Sequence, residues 1–136
     1  MQLVHAACWT ENLEEAVSFW REYLGANAGD IYHSARRAGF RSCFIALPEG
    51  GAQIELMSGP WVQERKPEDH QGWDHIALSV GSQADVDALA QRCRDAGYLI
   101  AEPRLTGDGY YEAIIRTPDG IPIEIVASRS GVFAGV

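Results

Sequence analysis

The feature that most limits how this chain can fold is that it is written twice. Val4-His5-Ala6-Ala7 returns as Asp74-His75-Ile76-Ala77, and Gln53-Ile54-Glu55-Leu56 returns as Pro122-Ile123-Glu124-Ile125, at offsets of 70 and 69 residues. Matching offsets at two separate anchors mark each half as one supersecondary unit. The punctuation between the anchors is duplicated too. Asn12-Leu13-Glu14-Glu15 has the form of a helix cap, a short polar side chain with a carboxylate three residues on. Leu13, Val17, Trp20 and Leu24 follow at helical spacing until Gly25 stops them. In the second half Ser82-Gln83-Ala84-Asp85 repeats the cap, Val86, Leu89, Ala90 and Cys93 repeat the stripe, and Gly97 repeats the stop.

Each half then reads as strands. In the first, Gly39–Leu47 and Ala52–Met57 flank a Pro48-Glu49-Gly50-Gly51 turn, with a weaker strand near Ala28–His33. In the second, Tyr110–Arg116 and Ile121–Ala127 flank Pro118-Asp119-Gly120, with a short strand near Leu99–Glu102. The expectation is an α+β fold of two paired βαβββ modules, residues 1–58 and 73–128, joined by a 59–72 connector rich in charge and proline and followed by a 129–136 tail. Its 136 residues suit a single domain able to bury a core without disulfides.

Strand parity sorts the anchors. Residues alternate between the two sides of a strand, so Val4, Ala6 and Cys8 lie opposite His5, and Ile76, Leu78 and Val80 lie opposite His75. Ile54 and Leu56 lie opposite Glu55, while Ile121, Ile123 and Ile125 lie opposite Glu124. With helices covering the apolar side, two His and two Glu project from the other. A single strand His is more often structural and a single outward Glu merely solvated. Four at equivalent places of a duplicated module match a ligand set of two imidazoles and two carboxylates, suited to one divalent ion such as Zn, Ni, Fe or Mn.

Composition narrows the partners. A net charge of −8, with adjacent basic residues only in pairs such as Arg36-Arg37, opposes nucleic-acid binding. No apolar run approaches a membrane span and no leader is evident, so a soluble cytoplasmic protein is expected. The three cysteines, Cys8, Cys43 and Cys93, are too few and too widely spaced for a disulfide framework. Cys8 falls on the apolar parity and Cys93 on the helix stripe, Cys43 is not placed by parity, and His33 and His70 are expected at the surface.

The chain from Gln2 to Ala127 resembles the vicinal oxygen chelate superfamily, the glyoxalase/bleomycin-resistance/dioxygenase group, through His5 with the following helix ending "YLGA", through "QIELM", "DHIALSV" and "DGIPIEI". The resemblance implies a curved mixed sheet around a central cavity with helices outside, and a homodimer. It implies His5, Glu55, His75 and Glu124 as metal ligands, as in bacterial glyoxalase I; other branches, such as extradiol dioxygenases and fosfomycin-modifying enzymes, imply only His, His and Glu. The implied activity is a glyoxalase I-like lyase or an epimerase/isomerase acting on a small oxygen-chelating substrate, an α-hydroxycarbonyl or hemithioacetal, through a metal-stabilised enediolate. Glu124 is implied as ligand and base, with Glu55 on the other side of the substrate. Glyoxalase I has an arginine where this chain has Trp9, and an asparagine where it has Ser58-Gly59-Pro60. "TGDGYYEA", Thr106 to Ala113, is more similar to a bacterial glyoxalase-like subfamily.

Trp9, Gln53, Met57 and Trp73 share the parity of the anchors and read either as substrate contacts or as ordinary packing. Tyr110 and Tyr111 follow Gly107-Asp108-Gly109, which is no phosphate-binding fingerprint, and offer a hydroxyl toward the substrate or a structural ring. Two further readings stand beside the enzyme. One is a sequestering protein of the bleomycin-resistance type without catalysis, and the other is a metal site that only joins the modules. The connector length is compatible with a site closed by one chain or by two exchanging modules.

Overall fold

The computed structural model describes residues 3–64, 72–107 and 109–128; His70, Asp108 and the 129–136 tail lie outside them. Two compact units divide the chain, residues 1–67 and 68–136, the division falling within the 59–72 stretch.

In the first unit the order is β1 (His5–Trp9), α1 (Leu13–Leu24), β2 (Asn27–Ala28), β3 (Tyr32–His33), β4 (Arg41–Ala46) and β5 (Gln53–Ser58). Helix α1 starts where expected because the Asn12 side chain accepts the Glu15 amide, satisfying one of the helix's unpaired donors. It ends at Gly25, whose φ of 62° turns the chain back so that the Ala26 N–H reaches the Trp20 carbonyl. Its inner stripe, Leu13, Ala16, Phe19 and Trp20, is buried against Cys43, Ile45, Ile54 and Leu56. Burying Trp20 alone removes enough apolar surface to be worth about 4–6 kcal/mol.

The strand expected near Ala28–His33 is broken. Asn27 and Ala28 pair with Ala46 and Ile45, whereas Tyr32 and His33 pair with Ser42 and Arg41, a register one residue out of step. The extra residue is accommodated around Gly29, whose N–H still reaches the Phe44 carbonyl at 2.9 Å, as in a β-bulge on an edge strand.

The second unit runs β6 (Ile76–Gly81), α2 (Gln83–Asp95), β7 (Leu99–Leu105), β8 (Tyr111–Arg116) and β9 (Pro122–Ala127). Here Ser82 and Asp85 exchange both bonds of a capping box. Tyr98 and Gly97 donate to the Cys93 and Arg94 carbonyls beyond the last turn, a Schellman stop that Gly97 permits with its φ of 79°. Strand β7 runs three residues beyond its expected end at Glu102, through Pro103; as the sheet's edge strand, with bulged pairing to β8, it can dispense with that N–H. Val86, Leu89, Ala90 and Cys93 pack on Ala113, Ile115, Ile123 and Ile125.

The two sheets share one plan. The first is ordered β1-β5-β4-β2, with β3 also on β4, and the second β6-β9-β8-β7. In each, the first and last strands pair parallel and the other neighbours antiparallel. Each sheet is covered on one side by its own helix, which gives an α+β fold of two modules. Among the described residues no helix is long and apolar enough to cross a membrane.

Candidate functional site

Register puts each His next to its Glu. Ala7 pairs with Glu55 and Ala77 with Glu124, so in both units the His sits two residues before the small residue that faces the carboxylate. Alanine at that place leaves the space beside the Glu open, and the His reaches diagonally across it. His5 Nε2 stands 3.7 Å from Glu55 Oε2, and His75 Nε2 stands 3.2 Å from Glu124 Oε1. Both pairs lie on the side away from the helix, where parity puts them.

The surroundings differ. His75 lies just before β6, and its Nδ1 meets Asp74 Oδ2 at 2.8 Å. That bond makes Nδ1 a donor to Asp74 and directs Nε2 toward Glu124. The Asp74 bond raises the His75 pKa above its ordinary 6.5; partial desolvation opposes the rise, and the charges of Glu124, Asp74 and Glu112 add to it. His5 instead meets the ring of Phe44, which is paired with Glu55, edge to face at 5.3 Å.

Two groups on these faces escaped the sequence reading. Glu112, on β8 with the parity of Ile114 beside Glu124, is buried and meets Arg104 at 3.3 Å. In the first unit the Arg37 guanidinium lies 3.8 Å from the centre of the Trp61 ring, 5.6 Å from Trp9 and 5.9 Å from Phe40. Burial identifies Glu112 only once the fold is known, and the Arg37 cluster joins two loops with no shared pattern.

The expected substrate contacts separate. Trp9 is half-exposed at the far end of β1 from His5, edge-on to Phe40 and Trp61; Gln53 is exposed opposite His5, and Met57 is half-buried opposite Trp9. Trp73 is 91% exposed ahead of β6. Tyr110 belongs to a turn, its backbone bonded to Thr106. Tyr111 is on the helix side: it shares the parity of Ala113 and Ile115, and its hydroxyl donates to Asp87 on α2 at 2.6 Å, which raises its pKa. That geometry makes it a strut between sheet and helix, so the substrate-contact expectation for Tyr111 does not hold.

Of the cysteines, Cys43 faces α1 and directs its thiol to the Gly29 carbonyl, while Cys93 is buried on α2 and its pKa is pushed up to about 11 by desolvation. Neither is a ready nucleophile. Among the described residues no group of three or more His, Cys, Asp and Glu side chains forms a metal-sized cluster; each unit gathers a His and Glu pair. The donors suit a divalent ion. Two ligands at about 2.1 Å from one ion stand roughly 3.0–3.4 Å apart, a range that contains the His75 and Glu124 spacing and lies just below that of His5 and Glu55.

Comparison with known proteins places this architecture. It is similar to a glyoxylase/bleomycin resistance protein/dioxygenase domain from Frankia sp. EAN1pec at 20% identity, with 96% of this chain and 94% of that one covered and a TM-score of 0.81. It is also similar to the trypanothione-dependent glyoxalase I of Leishmania major (20% identity, 93% and 86% covered, TM-score 0.74). A third likeness is to the fosfomycin resistance protein FosX of Listeria monocytogenes complexed with Mn(II) and sulfate (20%, 93% and 92%, 0.68). No curated protein matches by sequence. The model of the Glyoxalase/Bleomycin resistance protein/Dioxygenase superfamily matches residues 2–125, nearly the whole duplicated sequence, and the chain belongs to that superfamily.

Proposed function

We propose that the protein is a divalent-metal-dependent lyase or isomerase acting on a small substrate with two neighbouring oxygens, with His5, Glu55, His75 and Glu124 as metal ligands. The observation that carries this is the repeated register: both units set a His two residues before the residue facing a Glu, on the side away from the helix. A sequestering protein has no physical reason to keep both pairs. The His75 and Asp74 bond supports the same reading, because a carboxylate behind a ligating imidazole fixes its tautomer. When bound, the ion would draw charge from the substrate oxygens and acidify an adjacent C–H.

The chain's own groups do the rest. Glu124 takes that proton and returns it elsewhere on the substrate, while Glu55 serves the opposite face. Imidazoles hold position, with His75 restrained at both nitrogens. The metal identity follows cellular supply as much as ligand type.

Two measurements test the reading. Protein purified without an affinity tag is expected to carry close to one equivalent of a transition metal per chain, or to take it up on titration. An assay of hemithioacetals beside a panel of α-hydroxycarbonyls is expected to return turnover that chelation abolishes and metal restores. No uptake of Zn, Ni, Fe or Mn would leave the sequestering reading in its place.

A further inference from the structure

Arg41, Arg94 and Arg104 each meet a carboxylate, Glu14, Glu102 and Glu112 respectively, and Arg116 donates to the Gly97 carbonyl. Among the described residues Arg37 meets no carboxylate, in a chain of 19 acidic residues against 11 basic ones. Its guanidinium sits instead in a corner of three rings, 3.8 Å from the centre of Trp61, 5.6 Å from Trp9 and 5.9 Å from Phe40.

The corner is held together without that side chain. Trp9 stands edge-on to both other rings, with centres 6.2 Å from Trp61 and 6.1 Å from Phe40 and planes at 86° and 90°. A Cβ on Gly39 would stand 2.8 Å from Pro60, and one on Gly59 would stand 2.4 Å from the Trp61 ring, so the two loops close on each other only because both positions are glycine. The turn that carries Arg37 is fixed through its backbone: the Ser34 hydroxyl oxygen accepts the Arg36 and Arg37 N–H groups, and the Phe40 N–H donates to the Arg37 carbonyl. Arg37 itself is exposed, and rotation of its side chain alone empties the corner.

Ring faces attract cations because their quadrupole is negative there, and planar guanidinium groups stack on them best. The net charge of −8 draws small cations toward the protein as a whole. An exposed contact of this kind favours the occupied state only by roughly two- to tenfold, so a free cation in excess can take the place of a tethered one. Trp9 shares its strand and its side with His5, four residues or roughly 13 Å away, so a ligand in the corner lies on the face that carries the first His and Glu pair.

We propose that the corner formed by Trp61, Trp9 and Phe40 is a binding site for a small organic cation bearing a guanidinium or amidinium group, and that Arg37 is a tethered occupant which the ligand displaces. The chain's own cation shows that the walls accept this chemistry, and the glycine-fitted loops keep them in place when it leaves. The site owes nothing to the metal reading, and a protein that binds no metal would still carry it.

The test is a titration with ethylguanidinium and with N-ethylurea, a neutral planar isostere, followed by the upfield shift of their ethyl protons in proton NMR. Saturable shifts are expected with ethylguanidinium alone. Arg37→Ala is expected to bind it about three- to tenfold more tightly, because the tethered competitor is gone. Arg36→Ala removes the same charge from the same turn without emptying the corner, and is expected to change affinity by less than twofold. Trp61→Leu keeps apolar volume without the ring face and is expected to abolish the shift, with circular dichroism checking that the chain is folded.

Absence of binding to Arg37→Ala, an equal response to N-ethylurea, or binding that survives in folded Trp61→Leu overturns the site. Binding to Arg37→Ala but not to the unaltered chain makes Arg37 a fixed structural group and overturns the displacement, as does an equal gain in Arg36→Ala.

Discussion

In the second unit His75 is met at both ring nitrogens, by Asp74 at 2.8 Å and Glu124 at 3.2 Å, whereas in the first His5 stands 3.7 Å from Glu55 and leans on Phe44. At the place of Asp74 the first unit has Val4, 72% exposed. The duplication has kept backbone register and donor type, and has let the surroundings diverge. Restraint of the imidazole is concentrated in one half, and aromatic contact with it in the other. Backbone pairing fixes which side chains share a face, but what lies behind each is free to vary without breaking the sheet.

The sharpest way to break this comparison is at the carboxylates. On a confirmed substrate, Glu124→Gln is expected to lower turnover by roughly 10²–10⁴-fold, the range of a lost general base. Glu55→Gln is expected to cost less. Steady-state kinetics of the two variants decide it, and the reverse order would move the base to the first unit.

Next in size is the core. Trp20, 2% exposed, fills the space under α1, while α2 buries only Val86, Leu89, Ala90 and Cys93. Trp20→Ala is expected to destabilise by about 3–5 kcal/mol and Leu89→Ala by about 2–3 kcal/mol, measured by urea unfolding. Equal losses would show that the two cores carry similar weight.

Asp74→Asn is expected to weaken metal binding about 10–100-fold, and Val4→Asp, which offers His5 the missing partner, to strengthen it. In metal-free protein the same Asp74→Asn change should bring the His75 pKa back toward 6.5, read by NMR titration. The sign follows from the raised value: a folded state that favours the imidazolium gains stability below the unfolded pKa and loses it as pH rises through the folded one. Metal competes with that proton, so affinity should climb over the same window. A His75 titration unmoved by Asp74→Asn would remove the proposed asymmetry.

The smallest difference is at the caps. Ser82 and Asp85 share the two bonds of a capping box and a third between their side chains, while the Asn12 side chain accepts one from Glu15. Ser82→Ala should cost about 1 kcal/mol and Asn12→Ala somewhat less, seen as unequal shifts in Tm.

Much of this is legible in the sequence. Caps, stops and the parity of His5, Glu55, His75 and Glu124 are local properties, set by backbone geometry within a few residues. The interrupted strand around Gly29 and the extension of β7 through Pro103 were not, because both depend on which neighbour a strand acquires and whether it lies at an edge. Asp74 escaped for a related reason. Adjacent residues in a strand face opposite ways, but β6 begins only at Ile76; His75, next to it, keeps the alternation, while Asp74, one residue further out, is free of it. Tyr111 keeps the parity of the helix side, and its bond to Asp87 joins residues 24 apart in the chain.

By itself the sequence determined the two modules, the order of their elements and the side of the sheet on which the His and Glu residues lie, since periodicity and capping chemistry are written in consecutive residues. Only the tertiary structure decided that Asp74 stands behind His75, that Glu112 is buried beside Arg104, and that Arg37 rests on Trp61. Those contacts depend on where chain ends and loops come to lie once strands have paired, and no local pattern carries that information.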